Sequence, residues 1–184
     1  SWNEPMRPLS RQIMIEYKKQ PVSFRAGLRY FAAYVFMFVS SVAFAADPVP
    51  DFETDSALGG NARKWAEEFV VFAQERYDVE LDWSQVSIKY LDDIVNELHA
   101  TFEKEQPDPQ LVAPVSRALG SYVSEVYRIF YGGEWGWINL DSGSYPGVRS
   151  DKGALFLPLK KAHDRITLGD GTDIWEYFQL LTEQ

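Results

Sequence analysis

Between Tyr30 and Ala45 the chain runs YFAAYVFMFVSSVAFA, sixteen residues without a charge and with only two serines. A surface helix needs a polar face, which this run lacks, and a membrane-crossing helix needs about 20 apolar residues to span roughly 30 Å of hydrocarbon. Lys18, Lys19, Arg25 and Arg29 precede the run, which closes on Ala43-Phe44-Ala45 and is followed by Ala46-Asp47-Pro48. A basic segment, an apolar segment and small residues at −3 and −1 are the three parts of a secretory signal, and the proline stops any helix beyond it. Cleavage is expected after Ala45, which would address the remainder to the periplasm or the exterior and leave it without membrane attachment. A retained anchor is the competing reading. Met14 stands ahead of the basic stretch, so residues 1–13 are expected to lie upstream of the signal.

Charge divides along the same line. Of the 18 cations and 27 carboxylates in the chain, residues 1–45 hold six cations (Arg7, Arg11, Lys18, Lys19, Arg25, Arg29) and two carboxylates (Glu4, Glu16), leaving residues 46–184 with a net charge of −13. A body this acidic repels phosphate backbones and anionic lipid, so nucleic acid is an unfavourable partner and a basic or neutral protein a favourable one. With no cysteine, the chain has no disulfide, thiolate nucleophile, cysteine-held zinc or lipoprotein attachment residue.

Residues 46–60, with two prolines, four carboxylates and the pair Gly59-Gly60, read as an exposed, flexible lead-in, and a single domain is expected over 61–184. Helical spacing of Ala62, Trp65, Ala66, Phe69, Val70, Ala73 and Tyr77 predicts a first amphipathic helix. Ser84 is a fitting N-cap for a second, with Ile88, Leu91, Ile94 or Val95, Leu98 and Phe102 on one face before the breaker Gln106-Pro107-Asp108-Pro109. A third carries Leu111, Val115, Leu119, Tyr122, Val123, Val126, Ile129 and Phe130, ends at Gly132-Gly133, and is expected to become regular at Pro114. EWGWINL then alternates and ALFLPL is a short apolar run, which together predict a small antiparallel sheet. Lys160 to Leu168 reads as a short helix capped by Gly169, and Thr172 as the N-cap of a last one bearing Ile174, Tyr177, Phe178 and Leu181. The fold class is α+β: N-terminal helices packed on a small antiparallel sheet, with one or two C-terminal helices.

Leu81-Asp82, Leu91-Asp92-Asp93, Leu119-Gly120-Ser121-Tyr122-x-x-Glu125-Val126, Gly132-Gly133-x-Trp135, Leu157-Pro158-x-Lys160 and Arg165-x-x-x-Gly169 form a set that resembles a bacterial family of domains of unknown function. The resemblance covers about the C-terminal hundred residues. It implies an immunity protein made beside a secreted bacterial toxin, with Gly120 and Gly133 structural.

Glu125 follows Tyr122 by three residues and so lies beside the apolar stripe of the third helix. A half-buried carboxylate there suits either a general acid or a structural partner of Arg165 or Lys160, and the structural pair is the preferred reading. Trp135 and Trp137 share a face of the expected strand and with Tyr145 could form a stacking platform for a peptide or sugar, Tyr122 being a further candidate binding aromatic; core packing of at least one tryptophan, with Trp135 in the core and Trp137 covering an edge, is the preferred reading. A glycan hydrolase would need two carboxylates about 5–9 Å apart, for which Glu125 and Glu134 are the pair to test. His99 and His163 lack metal-ligand spacing, Gly143-Ser144-Tyr145-Pro146-Gly147 reads as a turn, and Asp170-Gly171-Thr172-Asp173 reads as a C-cap followed by an N-cap rather than a calcium loop. No P-loop or dinucleotide fingerprint is present, so no cofactor or metal is expected.

These observations describe an exported, non-enzymatic protein-binding domain, with toxin immunity its most specific form. A small envelope enzyme using Glu125 and an accessory subunit of an envelope assembly are the alternatives. The protein isolated from its host should begin at Ala46 by intact mass and N-terminal sequencing; a start upstream of Lys18 would make it an anchored domain instead.

Overall fold

A computed structural model describes residues 50–169 and 171–183. The expected signal at 1–45 lies outside them. The fold is α+β, with five α-helices and one four-stranded antiparallel sheet among the described residues.

The first element among the described residues is a strand, β1 (Asp51–Thr54), so the helices do not precede the whole sheet as expected, and residues 51–60 are a strand and the start of a helix where a flexible lead-in was expected. Its signal is weak because only Phe52 is apolar, and the pairing that holds it is long-range: Phe52 faces Ile138 and Glu53 faces Trp137. Asp55 then caps α1 (Ser56–Tyr77), its Oδ1 accepting from the amides of Ala57 and Leu58 at 2.9 and 3.0 Å. Those bonds and one from the Trp137 indole hold the Asp55 carboxyl below the ordinary aspartate range. Gly59-Gly60 are helical rather than turn-forming, and Trp135 lies beside Gly59 on the first turn. The buried stripe of α1 is Leu58, Ala62, Ala66, Phe69 and Ala73, and the helix ends on Asp78 in the left-handed region.

The second helix starts later than Ser84. Asp82 Oδ1 accepting from the Ser84 amide and Ser84 Oγ accepting from the Ser87 amide favour a tight 3-10 turn over Val86–Tyr90. The α-helix α2 (Leu91–Glu105) follows.

The third helix starts earlier than Pro114. Asp108 accepts from the Gln110 amide at 2.9 Å and α3 runs Pro109–Tyr131, so the proline at 109 occupies the first turn and Pro114 lies inside the helix. From Ser116 to Tyr127 every residue of α3 is buried. A helix enclosed on all sides must satisfy its polar groups internally, and the hydroxyls of Ser116 and Ser124 bond the carbonyls of Val112 and Gly120.

The sheet order is β1-β2-β3-β4, with β2 (Glu134–Leu140), β3 (Gly143–Arg149) and β4 (Leu155–Phe156). Gly143–Gly147, expected as a turn, form most of β3; only Asp141 and Ser142 turn the chain. Gly136 and Gly147 pair directly across the strands, where side chains would strike Phe52 on one flank and the Phe156 carbonyl on the other.

Then α4 (Pro158–Leu168) ends on Gly169 in the left-handed region, as expected. The last helix, α5 (Ile174–Thr182), is capped not by Thr172 but from another helix: Asp92 in the first turn of α2 accepts from the amides of Ile174 and Trp175 at 2.6 and 3.2 Å. Burial raises the Asp92 pKa and these amide bonds oppose the rise.

The core lies between α1 and α4 on either side of α3, closed by α2, α5 and one sheet face. At Gly120 an added Cβ would stand 2.6 Å from the Leu159 Cα and 2.7 Å from the Pro158 carbonyl, so α3 and α4 touch backbone to backbone. Gly120→Ala should therefore destabilise the protein by about 1–3 kcal/mol. Gly60→Ala, where an added Cβ meets nothing within 4 Å, should stabilise it by about 0.5–1 kcal/mol. Urea midpoints of the two variants should move in opposite directions.

Candidate functional site

Glu125 on α3 is 6% exposed, and its Oε1 accepts from the Trp135 indole at 2.8 Å and from Arg128 Nη1 at 2.6 Å. Arg128 Nε in turn donates to the Gly133 carbonyl at 3.0 Å. The partners are thus an arginine one turn away and a tryptophan of the sheet, not Arg165 or Lys160. Arg165 is buried at the far end of α4, where it bonds Gly169 O, Asn96 Oδ1 and Asp173 Oδ1 and so joins α4, α2 and the lead into α5. Lys160 is exposed and pairs with Asp164. Glu134 lies on the opposite sheet face from Trp135, where bonds from Arg149 and Thr54 hold its carboxyl below the ordinary glutamate range. Buried Glu125 and exposed Glu134 thus belong to separate ion pairs, with Arg128 and Arg149 respectively.

The aromatic platform also comes apart. Trp135 is buried at 2% exposure in the core, and Trp137 is half-buried with its indole on Asp55. Tyr145 pairs with Ile138, so the register puts it on the sheet face away from both tryptophans. Tyr122 is fully buried. Gly133 adopts φ 109° where the chain turns from α3 into β2, next to the Arg149 carbonyl.

Tyr122 is nonetheless informative, because its hydroxyl accepts from the Trp83 amide at 3.1 Å and shares a 2.7 Å hydrogen bond with Ser87 Oγ. Burial raises its pKa, with the Ser87 and Trp83 bonds opposing, so it remains a neutral phenol at physiological pH. Trp83, at φ 64°, lies against the Tyr122 ring with centroids 5.0 Å apart and carries the Arg63 guanidinium 3.9 Å above it. One buried phenol thus fixes the course of residues 81–87.

That course shapes an open groove of about 640 Å3. Its carboxylates are Asp78, Glu80 and Asp82, all exposed, and its apolar surface comes from Val86 and Tyr90, 57% and 48% exposed, and from half-buried Val79. Hydrogen bonds from Ser84 keep Asp82 below the ordinary aspartate range and hence ionised. Neighbouring Lys89 is drawn over the Trp175 ring. Exposed Tyr131 reaches the rim by bonding Gln85. Residues 78–90 yielded no sequence candidate: the groove has no motif, and it exists only because Tyr122 of a distant helix gathers this segment.

Among the described residues no helix is long and apolar enough to cross a membrane, and no group of three or more His, Asp or Glu is placed to hold a metal ion. His99 uses Nδ1 on the Ile166 carbonyl at 2.9 Å, and His163 stands on another helix beside Asp164. No family model, curated protein or solved structure matches the chain.

Glu125→Gln keeps an acceptor for the Trp135 indole but removes the charge facing Arg128. Because Arg128 is one-third exposed, the loss should be about 1–3 kcal/mol, short of a fully buried pair. Chemical denaturation followed by tryptophan fluorescence checks it, and an unchanged midpoint would remove Glu125 from its structural role.

Proposed function

We propose that this chain is an exported, non-enzymatic binding protein that recognises a basic protein partner through the groove over residues 78–90. The observation that supports this most is the coincidence, in one recess, of three exposed carboxylates with solvent-exposed Val86 and Tyr90. An aromatic with an apolar body and a polar tip is a common anchor of protein interfaces, and charge depletion of one sign selects a partner of the other. The −13 body adds long-range attraction that speeds encounter with a cation-rich surface. Neutralisation of a secreted toxin is the most specific form of this reading, and it is the form that the resemblance to bacterial immunity-type domains implies.

A photo-crosslinking residue at Tyr90, in the full chain produced in its host, should yield an adduct with a basic protein. One at exposed Lys152 should not. Removing the groove charge with Asp78→Asn and Glu80→Lys together should abolish the adduct while leaving the melting temperature within a few degrees, since both side chains are exposed and asparagine tolerates the left-handed backbone of position 78. Equal crosslinking from both positions, or an adduct indifferent to charge reversal, would overturn the reading.

A further inference from the structure

Between Asp78 and Trp83, both in the left-handed region at φ 55° and 64°, the chain runs Val79-Glu80-Leu81-Asp82 without helix, turn or bend. Burial alternates along it: Val79 is half-buried and Leu81 lies in the core at 3% exposure, while Glu80 and Asp82 are exposed. A period of two is that of an extended strand, whose successive side chains point to opposite sides. Yet this strand-like segment belongs to no sheet. The Val79 amide donates to the Ala73 carbonyl at 3.3 Å, but among the described residues neither the amide nor the carbonyl of Glu80 or Leu81 has a hydrogen-bond partner.

Val79, Glu80 and Asp82 line the acidic groove. Any partner seated there takes the main chain of this segment out of water and must replace the hydrogen bonds that water supplied. A helix is poorly suited to do so, because its own amides and carbonyls are bonded within it. A second extended chain can, by pairing along the segment as a strand adds to an open sheet edge. Charge sets the other requirement. Side chains two apart on a strand lie about 7 Å from one another on the same side, so Glu80 and Asp82 present their carboxylates in one row, and a paired strand with cations two apart meets both.

We infer that the partner enters the groove as an extended basic segment, pairing its main chain with residues 79–82 and setting cations two residues apart against Glu80 and Asp82. This rests on the recognition of a basic partner proposed above and specifies the conformation in which that partner binds.

The probe is the peptide acetyl-Lys-Val-Lys-Val-Lys-amide, whose valines favour the extended form, titrated calorimetrically into the protein isolated from its host. Two analogues keep every charge but carry backbone N-methyl groups, one at both valines and the other at all three lysines. Amides of alternate residues in a strand point to opposite edges, so one analogue should lose about tenfold in affinity, the scale of one or two main-chain hydrogen bonds, and the other should bind within twofold of the parent. Glu80→Gln should weaken the parent peptide by about threefold, the scale of one exposed charge pair, and Asp141→Asn, at an exposed carboxylate on the turn between β2 and β3, should leave it unchanged. Both analogues binding as the parent does, both losing equally, or a parent peptide that does not bind would each overturn strand pairing. The crosslinker at Tyr90 separates the two claims: an adduct with a basic protein alongside any of those outcomes removes the extended mode and keeps the recognition, whereas no adduct and no peptide binding removes both.

Discussion

Oε1 of Glu125 receives the Trp135 indole and the Arg128 guanidinium together, while Arg128 also holds the Gly133 carbonyl. Three groups in three successive pieces of structure, the end of α3, the turn at Gly132-Gly133 and the start of β2, are thereby fixed against a single buried oxygen. A carboxylate taken out of water is costly unless its hydrogen bonds are replaced, and here they are replaced by two donors, one of them charged. Because the sheet is a succession of sequence neighbours, orienting Trp135 orients β2, and β2 then sets the register of β1 and β3 on either side. The indole also reaches Gly59 of α1, so the same node brings the first helix and the sheet together.

Similar polar pins recur wherever apolar packing alone would leave orientation undetermined. Hydrophobic burial is non-directional and supplies most of the drive to collapse, but it does not say how α5 should point. Asp92 does, by capping α5 from α2, and Arg165 closes the same corner by binding Asn96, Gly169 and Asp173. Tyr122 performs this service for residues 81–87. In that case the consequence reaches the surface: the groove with Asp78, Glu80, Asp82, Val86 and Tyr90 keeps its shape because a phenol in the core holds its backbone.

The parts of this fold legible in the sequence are those whose signal is local. Ala62, Ala66, Phe69 and Ala73 declare α1 by spacing, and Leu119, Tyr122, Val123 and Val126 declare the face of α3. The strand Asp51–Thr54 was hidden because its partner is more than eighty residues away and the glycines after it resemble a stop. Gly143–Gly147 read as a turn by composition, yet the pairing of Gly136 with Gly147 makes those same small residues what a crowded strand crossing requires. Glu125 could be singled out as a buried carboxylate from its place beside the stripe. Its arginine partner at i+3 was visible in the sequence, whereas the distant Arg165 belongs to a different corner. The groove was the least legible feature, because residues 78–90 take their course from Tyr122 of a distant helix, which does not line its surface.

A net charge of −13 over residues 46–184 would suggest a surface hostile to every anion, but that sum is not what a ligand in a recess experiences. At physiological ionic strength the screening length is about 8 Å, so the groups within one or two side chains decide the local field, and remote carboxylates act chiefly on the rate of approach of large partners. On that scale the groove is acidic in its own right, because it presents Asp78, Glu80 and Asp82 while the nearby Lys89 is drawn onto Trp175. The sum over the body bears on how fast large charged partners approach, and the three groove carboxylates set the field inside the groove.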